Sequence, residues 1–152
     1  MLKNLRQPRR VVITGFGCVT PLGVGREAFW SGLVRGESGV RRIEGFDVSG
    51  SPVRIAGQVQ NFDWENELKA KDRRHVARTV PLALAAAREA VNDARLQPSD
   101  FSQEEQRTFG VVLGTGGGGL AFTEEQYKYL YLEGAPAAAR AEHHAERALL
   151  LL

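Results

Sequence analysis

Two short apolar runs, each followed by a glycine-rich turn and then by a helical pattern, most constrain how this chain can fold. Residues 10–14 read RVVIT before Gly15-Phe16-Gly17, and residues 108–113 read TFGVVL before a glycine-rich segment at 114–119. β-branched runs bounded by glycine are typical of buried strands. The sequence therefore predicts an α/β fold in which these two runs are central strands.

Helical patterns follow both runs and also occur between them. Apolar spacing and glycine stops predict helices over residues 26–35, 78–94 and 121–132. Pro81 is expected in the first turn of the second helix, where a missing N–H costs least. That helix has little polar surface, so it needs cover on most sides, and its many alanines allow close packing.

The segments between the predicted strands and helices have weaker secondary-structure patterns. Residues 36–51 are rich in turn formers and are predicted to be loop. Val53, Ile55 and Val59 alternate with polar neighbours, which predicts a half-buried strand. Residues 61–72 are polar and are predicted to be partly helical.

Composition is that of one ordinary globular domain. The 152 residues are 43% hydrophobic and 25% charged, and the formal charge of +2 is too small to indicate nucleic-acid binding. No apolar run approaches the length of a membrane span. The single cysteine, Cys18, excludes an intrachain disulfide framework and indicates a reducing, cytoplasmic compartment. Residues 1–9 are expected to be a solvated basic leader rather than a secretory signal.

Both glycine-rich turns invite a nucleotide-binding interpretation, but neither completes a motif. The first supplies only Gly15 and Gly17 of a G-x-G-x-x-G pattern, and the second lacks the Lys-Ser/Thr that closes a phosphate-binding loop. Gly15 and Gly17 are better explained by a tight turn and close backbone approach. The flexible segment 114–119 costs folding entropy, and such a loop more often lines a site.

No residue set in the sequence forms a complete catalytic or metal-binding constellation. Cys18 has no neighbouring histidine to lower the pKa of its thiol, so a packing role in a turn is expected. His75 lies among arginines and is expected to be solvated or capping, and the adjacent His143 and His144 point apart on a helix. The His, Cys, Asp and Glu residues lack metal-ligand spacing.

Five ordered motifs nevertheless carry a specific resemblance. VVITGFGCVTPLG, then AFWSGLV with GESGV and FD, then RIAGQVQNFD, LALAAAREA and GVVLGTGGGGL occur in that order. Together they closely resemble the amino-terminal part of the β-ketoacyl-acyl-carrier-protein synthases, which are condensing enzymes. The resemblance covers residues 9–134, so a partial domain at 10–134 is expected.

This resemblance implies a thiolase-like α/β fold with mixed sheets, of which the chain supplies an incomplete first half. It implies a decarboxylative condensation of an acyl thioester with malonyl-carrier protein, in fatty acid or polyketide synthesis, without any cofactor or metal. The implied partners are the acyl carrier protein and its acyl and malonyl thioesters, and the intact parent is expected to be a homodimer that binds neither nucleic acid nor membrane.

The resemblance also defines what is missing. The family's nucleophilic cysteine and two catalytic histidines have no counterpart here, so the chain alone is expected to be inactive, and neither Cys18 nor the His143-His144 pair replaces them. Only Thr115, Gly116 and Gly117 carry over, as neighbours of the acyl pocket. Many long-chain synthases have a bulky apolar residue at the position of Gly117, so its absence suggests a different or roomier pocket.

The chain departs from the family at about Ala135. Residues 135–152 form a low-complexity tail rich in Ala, Arg, His and Leu. We hypothesise a frameshift or a misplaced gene end, since such composition can arise from an out-of-frame reading of a GC-rich gene.

Two other functions remain open on the sequence alone. One is an autonomous nucleotide-binding α/β domain, and the other is a non-catalytic partner like the chain-length-factor subunits that resemble condensing enzymes. The isolated chain is expected to be poorly soluble or partly molten, because its apolar helix would lose much of its cover and its central strands would become exposed edges prone to self-pairing.

Overall fold

The computed structural model describes residues 10–73 and 76–132. Within them, four short strands form two separate antiparallel pairs. Strand β1 (Val19–Thr20) pairs with β2 (Gly23–Val24), and β3 (Val40–Arg42) pairs with β4 (Ile55–Gly57). The described chain thus mixes helices with strands, as an α/β fold requires.

Six α-helices lie within the same residues, and their bounds agree well with the sequence patterns. The predicted helices over 26–35, 78–94 and 121–132 and the partly helical stretch over 61–72 are confirmed. Short 3-10 and α-helical turns fill the connection before residue 108. The bounds are α1 Arg26–Val34, α2 Trp64–Glu67, α3 Ala70–Arg73, α4 Thr79–Asp93, a 3-10 turn Pro98–Asp100, α5 Gln103–Gln106 and α6 Leu120–Tyr131.

The prediction of central strands at 10–14 and 108–113 is wrong for this structure. Neither run belongs to a strand, and residues 11–14 and 110–113 make no hydrogen bond within the described part of the chain. The composition of each run is typical of a buried strand. A strand forms, however, only when a neighbouring segment forms backbone hydrogen bonds with it. No such neighbour lies among the described residues.

The region between α1 and α2 also differs from expectation. Residues 36–51 were predicted as loop, yet they contain β3, which pairs with β4 in the register Val40 opposite Gly57 and Arg42 opposite Ile55. The predicted strand near residue 55 exists, but Val53 and Ile55 are exposed rather than half-buried. Of the six ribbon residues only Ala56 is half-buried, and a Cβ on Gly57 would lie 3.1 Å from Pro21 Cγ.

Helix α1 ends where its sequence requires. Gly36 has a φ of 68°, its N–H bonds the Leu33 carbonyl at 3.0 Å, and the Glu37 N–H bonds the Gly32 carbonyl at 3.0 Å. This pair of bonds is a Schellman motif with glycine in the left-handed position. The expected stop at Gly36 is therefore confirmed.

Helix α4 ends with the same motif but without glycine. The N–H groups of Arg95 and Leu96 bond the carbonyls of Asn92 and Val91 at 3.0 and 3.1 Å, and Arg95 takes a φ of 55°. A side chain in this conformation costs free energy that glycine avoids. At the other end, Pro81 is buried in the first turn, as predicted.

Close packing between the first glycine turn and α4 positions the site described below. A Cβ on Gly15 would overlap the carbonyl oxygen of Ala90, and one on Gly17 would overlap that of Ala86. The short alanine side chains on this face of α4 let the two backbones approach. The structure thus confirms that these glycines serve close approach and that the alanines allow it.

Burial is shallow throughout the described residues. Val48 and Phe62 are the buried hydrophobic side chains, whereas Val91 and Ala87 on α4 remain exposed. Helix α4 contacts α2 and β1, and part of its apolar surface is exposed among the described residues. No helix in the described ranges is long and apolar enough to cross a membrane.

Candidate functional site

An open cleft of about 380 Å³ lies where the start of α1, the end of α2 and one face of α4 meet. Its wall combines one thiol, five charged side chains and several small or apolar groups. The lining residues are Cys18, Val19, Val24, Gly25, Arg26, Glu67, Ala85, Arg88, Glu89, Asn92 and Asp93.

Glu89 organises this cleft. Its carboxylate accepts the backbone N–H of Arg26 at 2.8 Å through Oε1 and that of Cys18 at 2.9 Å through Oε2. Helix α1 begins after Gly25, which has no side chain to cap it. Because the first N–H groups of a helix need acceptors, Glu89 acts as an N-cap supplied by another helix. A negative charge also suits the positive end of the helix dipole.

Asp93 lies one turn further along α4 and repeats the arrangement. Its carboxylate accepts the Phe16 N–H at 3.1 Å and forms an ion pair with the Arg26 side chain. Residues four apart lie on one face of a helix, so Glu89 and Asp93 present adjacent carboxylates to the same segment. Together they fix the chain from Phe16 to Arg26 against α4.

The remaining charges of the cleft are also matched. Arg88 Nη1 lies 2.9 Å from Oε2 of Glu67, an ion pair that joins α4 to α2 without hydrogen-bond geometry. Every carboxylate lining the cleft therefore has a cationic or backbone N–H partner. Such a cleft is built to hold the fold rather than to supply a free acid or base.

Cys18 is half-buried in this wall, and its environment disfavours the thiolate. Burial raises the pKa of the Cys18 thiol above its ordinary value of 9.0, and the negative charge of Glu89 raises it further. A nucleophilic cysteine requires the opposite shift. This agrees with the expectation that Cys18 packs in a turn and does not act as the nucleophile.

The glycine-rich segment 114–119 lies elsewhere, near the start of α4. The Gly118 N–H donates to Thr115 Oγ1 at 2.9 Å, and a Cβ on Gly118 would lie 2.8 Å from Thr79 Cγ2. Gly117 and Gly119 have φ angles of 120° and 97°, which side chains rarely adopt. The turn into α6 therefore depends on glycine.

The three positions that resemblance alone assigned to the acyl pocket lie in this segment and outside the cleft. Thr115, Gly116 and Gly117 are all exposed, and a Cβ on Gly116 would meet no atom within 4 Å. That these three residues lie next to an acyl pocket stays a prediction.

The structure also bears on the nucleotide-binding alternative. Gly15 and Gly17 face the backbone carbonyls of Ala90 and Ala86. A dinucleotide fold instead needs these glycines open to a pyrophosphate at the start of a helix. Helix α4 fills that space, which removes the main support for this alternative.

Sequence reasoning missed Glu89, Asp93 and Arg26. The available signal was the pair of acids four residues apart on an otherwise apolar helix, but such pairs are usually solvated. The candidate histidines His75, His143 and His144 lie outside the described residues, as do the proposed leader 1–9 and tail 135–152. Within the described ranges, no group of three His, Cys, Asp or Glu side chains could hold a metal ion.

The described residues form helices and short antiparallel strands, and carboxylates on α4 hold the first glycine turn and the start of α1 through backbone N–H groups. This architecture is that of an α/β domain. Its family follows from comparison. Residues 8–145 match the family model described as beta-ketoacyl synthase, N-terminal domain, and the chain belongs to that family.

Curated relatives support the same family. The chain is 36% identical over 133 residues to 3-oxoacyl-[acyl-carrier-protein] synthase 2 of Synechocystis sp., a match covering 88% of this chain and 31% of the relative. The synthase of the same name from Vibrio cholerae is 36% identical over 126 residues, covering 83% and 30%. The chain thus spans about a third of the length of these relatives.

A solved structure agrees with the sequence matches. The ishigamide ketosynthase/chain length factor superposes with a TM-score of 0.53 at 38% identity, covering 62% of this chain and 23% of the other. The resemblance predicted from the five ordered motifs is therefore confirmed.

Proposed function

We propose that this chain forms the amino-terminal portion of a condensing enzyme with a thiolase-like fold. The enzyme would join an acyl thioester to malonyl-carrier protein with loss of CO₂. The observation that carries the proposal is the 36% identity to a 3-oxoacyl-[acyl-carrier-protein] synthase across 88% of this chain. The family model matches residues 8–145, which include both glycine-rich turns and α4.

The proposed reaction needs groups that this portion does not itself supply. A thiolate must take the acyl group, and N–H donors must stabilise the oxyanion that forms when the thioester is attacked. Burial and the charge of Glu89 raise the pKa of the single cysteine's thiol, which supports a nucleophile supplied by the rest of the synthase. We therefore expect the isolated chain to be inactive.

The contribution of this portion is structural support and part of the acyl pocket. Glu89 and Asp93 hold the segment from Phe16 to Arg26 on α4. The exposed turn at Thr115, Gly116 and Gly117 would border the acyl chain, and glycine at position 117 leaves room for a bulky substrate. The intact enzyme would be a cytoplasmic homodimer that receives its substrates from an acyl carrier protein.

A hybrid enzyme tests the proposal. Residues 10–132 of this chain replace the matching part of the Synechocystis synthase, and 3-oxoacyl product and CO₂ are measured with acyl- and malonyl-carrier protein. The hybrid should condense these substrates, and it should still do so with Cys18→Ser. The isolated chain should give no product and no acyl adduct by intact-mass analysis. A folded but inactive hybrid, or an acylated Cys18, would contradict the proposal.

A non-catalytic partner role is the second candidate, favoured by one observation. The superposed structure is named as a ketosynthase/chain length factor, and a chain-length-factor-like subunit needs no nucleophile. This role predicts that the chain co-purifies with a complete synthase and changes the length of its products. An unchanged product distribution would exclude it.

A further inference from the structure

The two-stranded ribbon β3–β4 has one face that the rest of the described chain leaves open. Residues directly opposite each other in a strand pair lie on the same face, and so do alternate residues of one strand. Arg42 lies opposite Ile55, and Val40 is two residues from Arg42 on the same strand, so these three residues share a face. Val40 is 52% and Ile55 is 60% exposed, and Arg42 is also exposed. We name Val40, Arg42 and Ile55 the outward face.

The other face of the ribbon is partly covered. It carries Arg41 opposite Ala56, and Ala56 is half-buried. At the end of the ribbon where Gly57 pairs with Val40, a Cβ on Gly57 would lie 3.1 Å from Pro21 Cγ. The ribbon is therefore held against the turn between β1 and β2, and this contact fixes the direction of the outward face.

Arg42 carries a charge that no acid among the described residues neutralises. Its side chain forms no hydrogen bond or ion pair within the described part of the chain. The acids nearest to it in the sequence have other partners, namely Arg35 Nε for Glu37 at 2.7 Å, Gln60 Nε2 for Glu44 at 3.3 Å and the Ser49 N–H for Asp47 at 2.9 Å. An exposed guanidinium between apolar side chains is typical of the centre of a protein interface.

We propose that the outward face is a docking surface for an acidic segment of a protein partner, in which one Asp or Glu lies between apolar side chains. The carboxylate would form two parallel hydrogen bonds with the planar guanidinium of Arg42, and the apolar side chains would cover Val40 and Ile55. This cover strengthens the charged contact, because opposite charges attract more strongly where water is excluded. The inference concerns a binding surface and does not depend on the proposed condensation.

Other occupants fit the outward face less well. A second copy that used the same face would bring two Arg42 side chains together about a twofold axis, and like charges repel. An anionic membrane attracts clusters of basic residues, because each one contributes little, and the outward face has a single one. Nucleic acid binding likewise requires several contacts with phosphates.

Selection from a library of random twelve-residue peptides on the full chain provides the test. Arg42→Gln is the target for counter-selection, since the Arg42 side chain has no partner to lose within the described residues. Peptides that the chain retains and the variant rejects should share an Asp or Glu with apolar residues on both sides. Enrichment of peptides without an acid, or the lack of any enrichment that depends on Arg42, overturns the proposal.

The affinity of a selected peptide distinguishes one guanidinium from general positive charge. Arg42→Gln should weaken binding about tenfold or more, because a charge-assisted pair is lost. Arg41→Gln is the matched control on the other face and should bind within about twofold of the unchanged chain, since exposed charges are screened. Ile55→Thr keeps a β-branched residue with less apolar area and should weaken binding about fivefold. Equal weakening by the two arginine variants would contradict a docking surface centred on Arg42.

An exchange of charges provides a check that loss of structure cannot imitate. Arg42→Glu should abolish binding of the selected peptide, and a peptide with Lys in place of its acid should recover part of the lost affinity for this variant. No recovery overturns the proposal. Amides of residues 40–42 and 55–57 that exchange as in an unfolded chain also overturn it, because the peptide would then have no ribbon to bind.

Two further measurements test the other occupants. Sedimentation of the full chain should show no dimer whose formation slows amide exchange at residues 40–42 and 55–57. Vesicles of anionic phospholipid should bind the full chain and Arg42→Gln equally weakly. A dimer that protects these amides would assign the outward face to a second copy, and vesicle binding that depends on Arg42 would assign it to a membrane. Either result would overturn the proposal.

Discussion

The carboxylate of Glu89 accepts the backbone N–H of Arg26 at 2.8 Å, so helix α4 caps helix α1 across 63 residues of sequence. The same carboxylate binds the Cys18 N–H at 2.9 Å through its other oxygen. One side chain therefore fixes the entry into α1 and the preceding turn. A cap supplied from a distant helix makes local helix stability depend on tertiary packing.

Replacing Glu89 with alanine should loosen the start of α1. Loss of an N-cap costs about 1 kcal/mol, which corresponds to about fivefold faster amide exchange in the first turn of the helix. Exchange at residues 26–29, measured by mass spectrometry, checks this. Glu104→Ala is the matched control, since Glu104 is exposed and has no partner among the described residues. Equal exchange in both variants would refute the capping role.

Gly17 should tolerate no side chain. A Cβ there would overlap the Ala86 carbonyl and lie 2.7 Å from the Ala90 amide nitrogen, and forced overpacking costs about 1–3 kcal/mol. Gly17→Ala should therefore speed amide exchange along α4 and in the turn after it. Gly50→Ala is the control, because a Cβ at Gly50 meets nothing within 4 Å. Unchanged exchange in Gly17→Ala would show that the two backbones separate freely.

Helix α4 illustrates what the sequence predicts well. The helix is predicted from its apolar spacing and from Pro81 in the first turn, with bounds within one residue of Thr79–Asp93. The run of alanines predicts its close packing. These features depend on residues that are close together in the sequence, so the sequence pattern is enough to predict them. The contact of Glu89 with Cys18 and Arg26 depends on how distant segments meet, and an acid on a helix gives no local sign of it.

The predictions for residues 10–14 and for β3 failed for two different reasons, whereas the strand predicted near residue 55 is present as β4. The run RVVIT at 10–14 has the composition of a buried strand, but no described segment lies beside it. Strand β3 reads VRR and has all three residues exposed, so neither burial nor alternation marked it. Its partner β4 follows after twelve intervening residues, 43–54, so no two-residue turn signal marks the pair. Of the candidate site, sequence identified Cys18 and the glycine turns but not the carboxylates that hold them.

Arg95 is a site where the chain can be made more stable. Its φ of 55° closes the Schellman motif at the end of α4, a conformation that glycine adopts without steric cost. Arg95→Gly removes a left-handed conformational cost of about 1–2 kcal/mol and adds an entropic cost of about 0.5–1 kcal/mol, so the net gain should be about 0.5–1 kcal/mol. Exchange in the last turn of α4 should slow by about two- to fivefold. Arg95→Ala keeps the strained backbone and should show no gain. A loss of protection with glycine would mean that the Arg95 side chain itself stabilises the helix end.

Cys18 should behave as an unreactive thiol at neutral pH. Burial and the Glu89 charge raise the pKa of its thiol above 9.0, so the thiolate fraction near pH 8 is smaller than for an ordinary cysteine. Alkylation by iodoacetamide should be slower than for a free thiol at that pH, and the whole profile of rate against pH should lie at higher pH than that of a free thiol.

Glu89→Gln tests the cause of this shift. Removal of the negative charge should lower the pKa of the Cys18 thiol and move the alkylation profile to lower pH, while burial keeps part of the shift. Alkylation of the unfolded chain in urea gives the reference rate for an unshifted thiol. Rapid modification of the folded chain at pH 7 would instead mark Cys18 as an activated thiol and reopen its candidacy as a nucleophile.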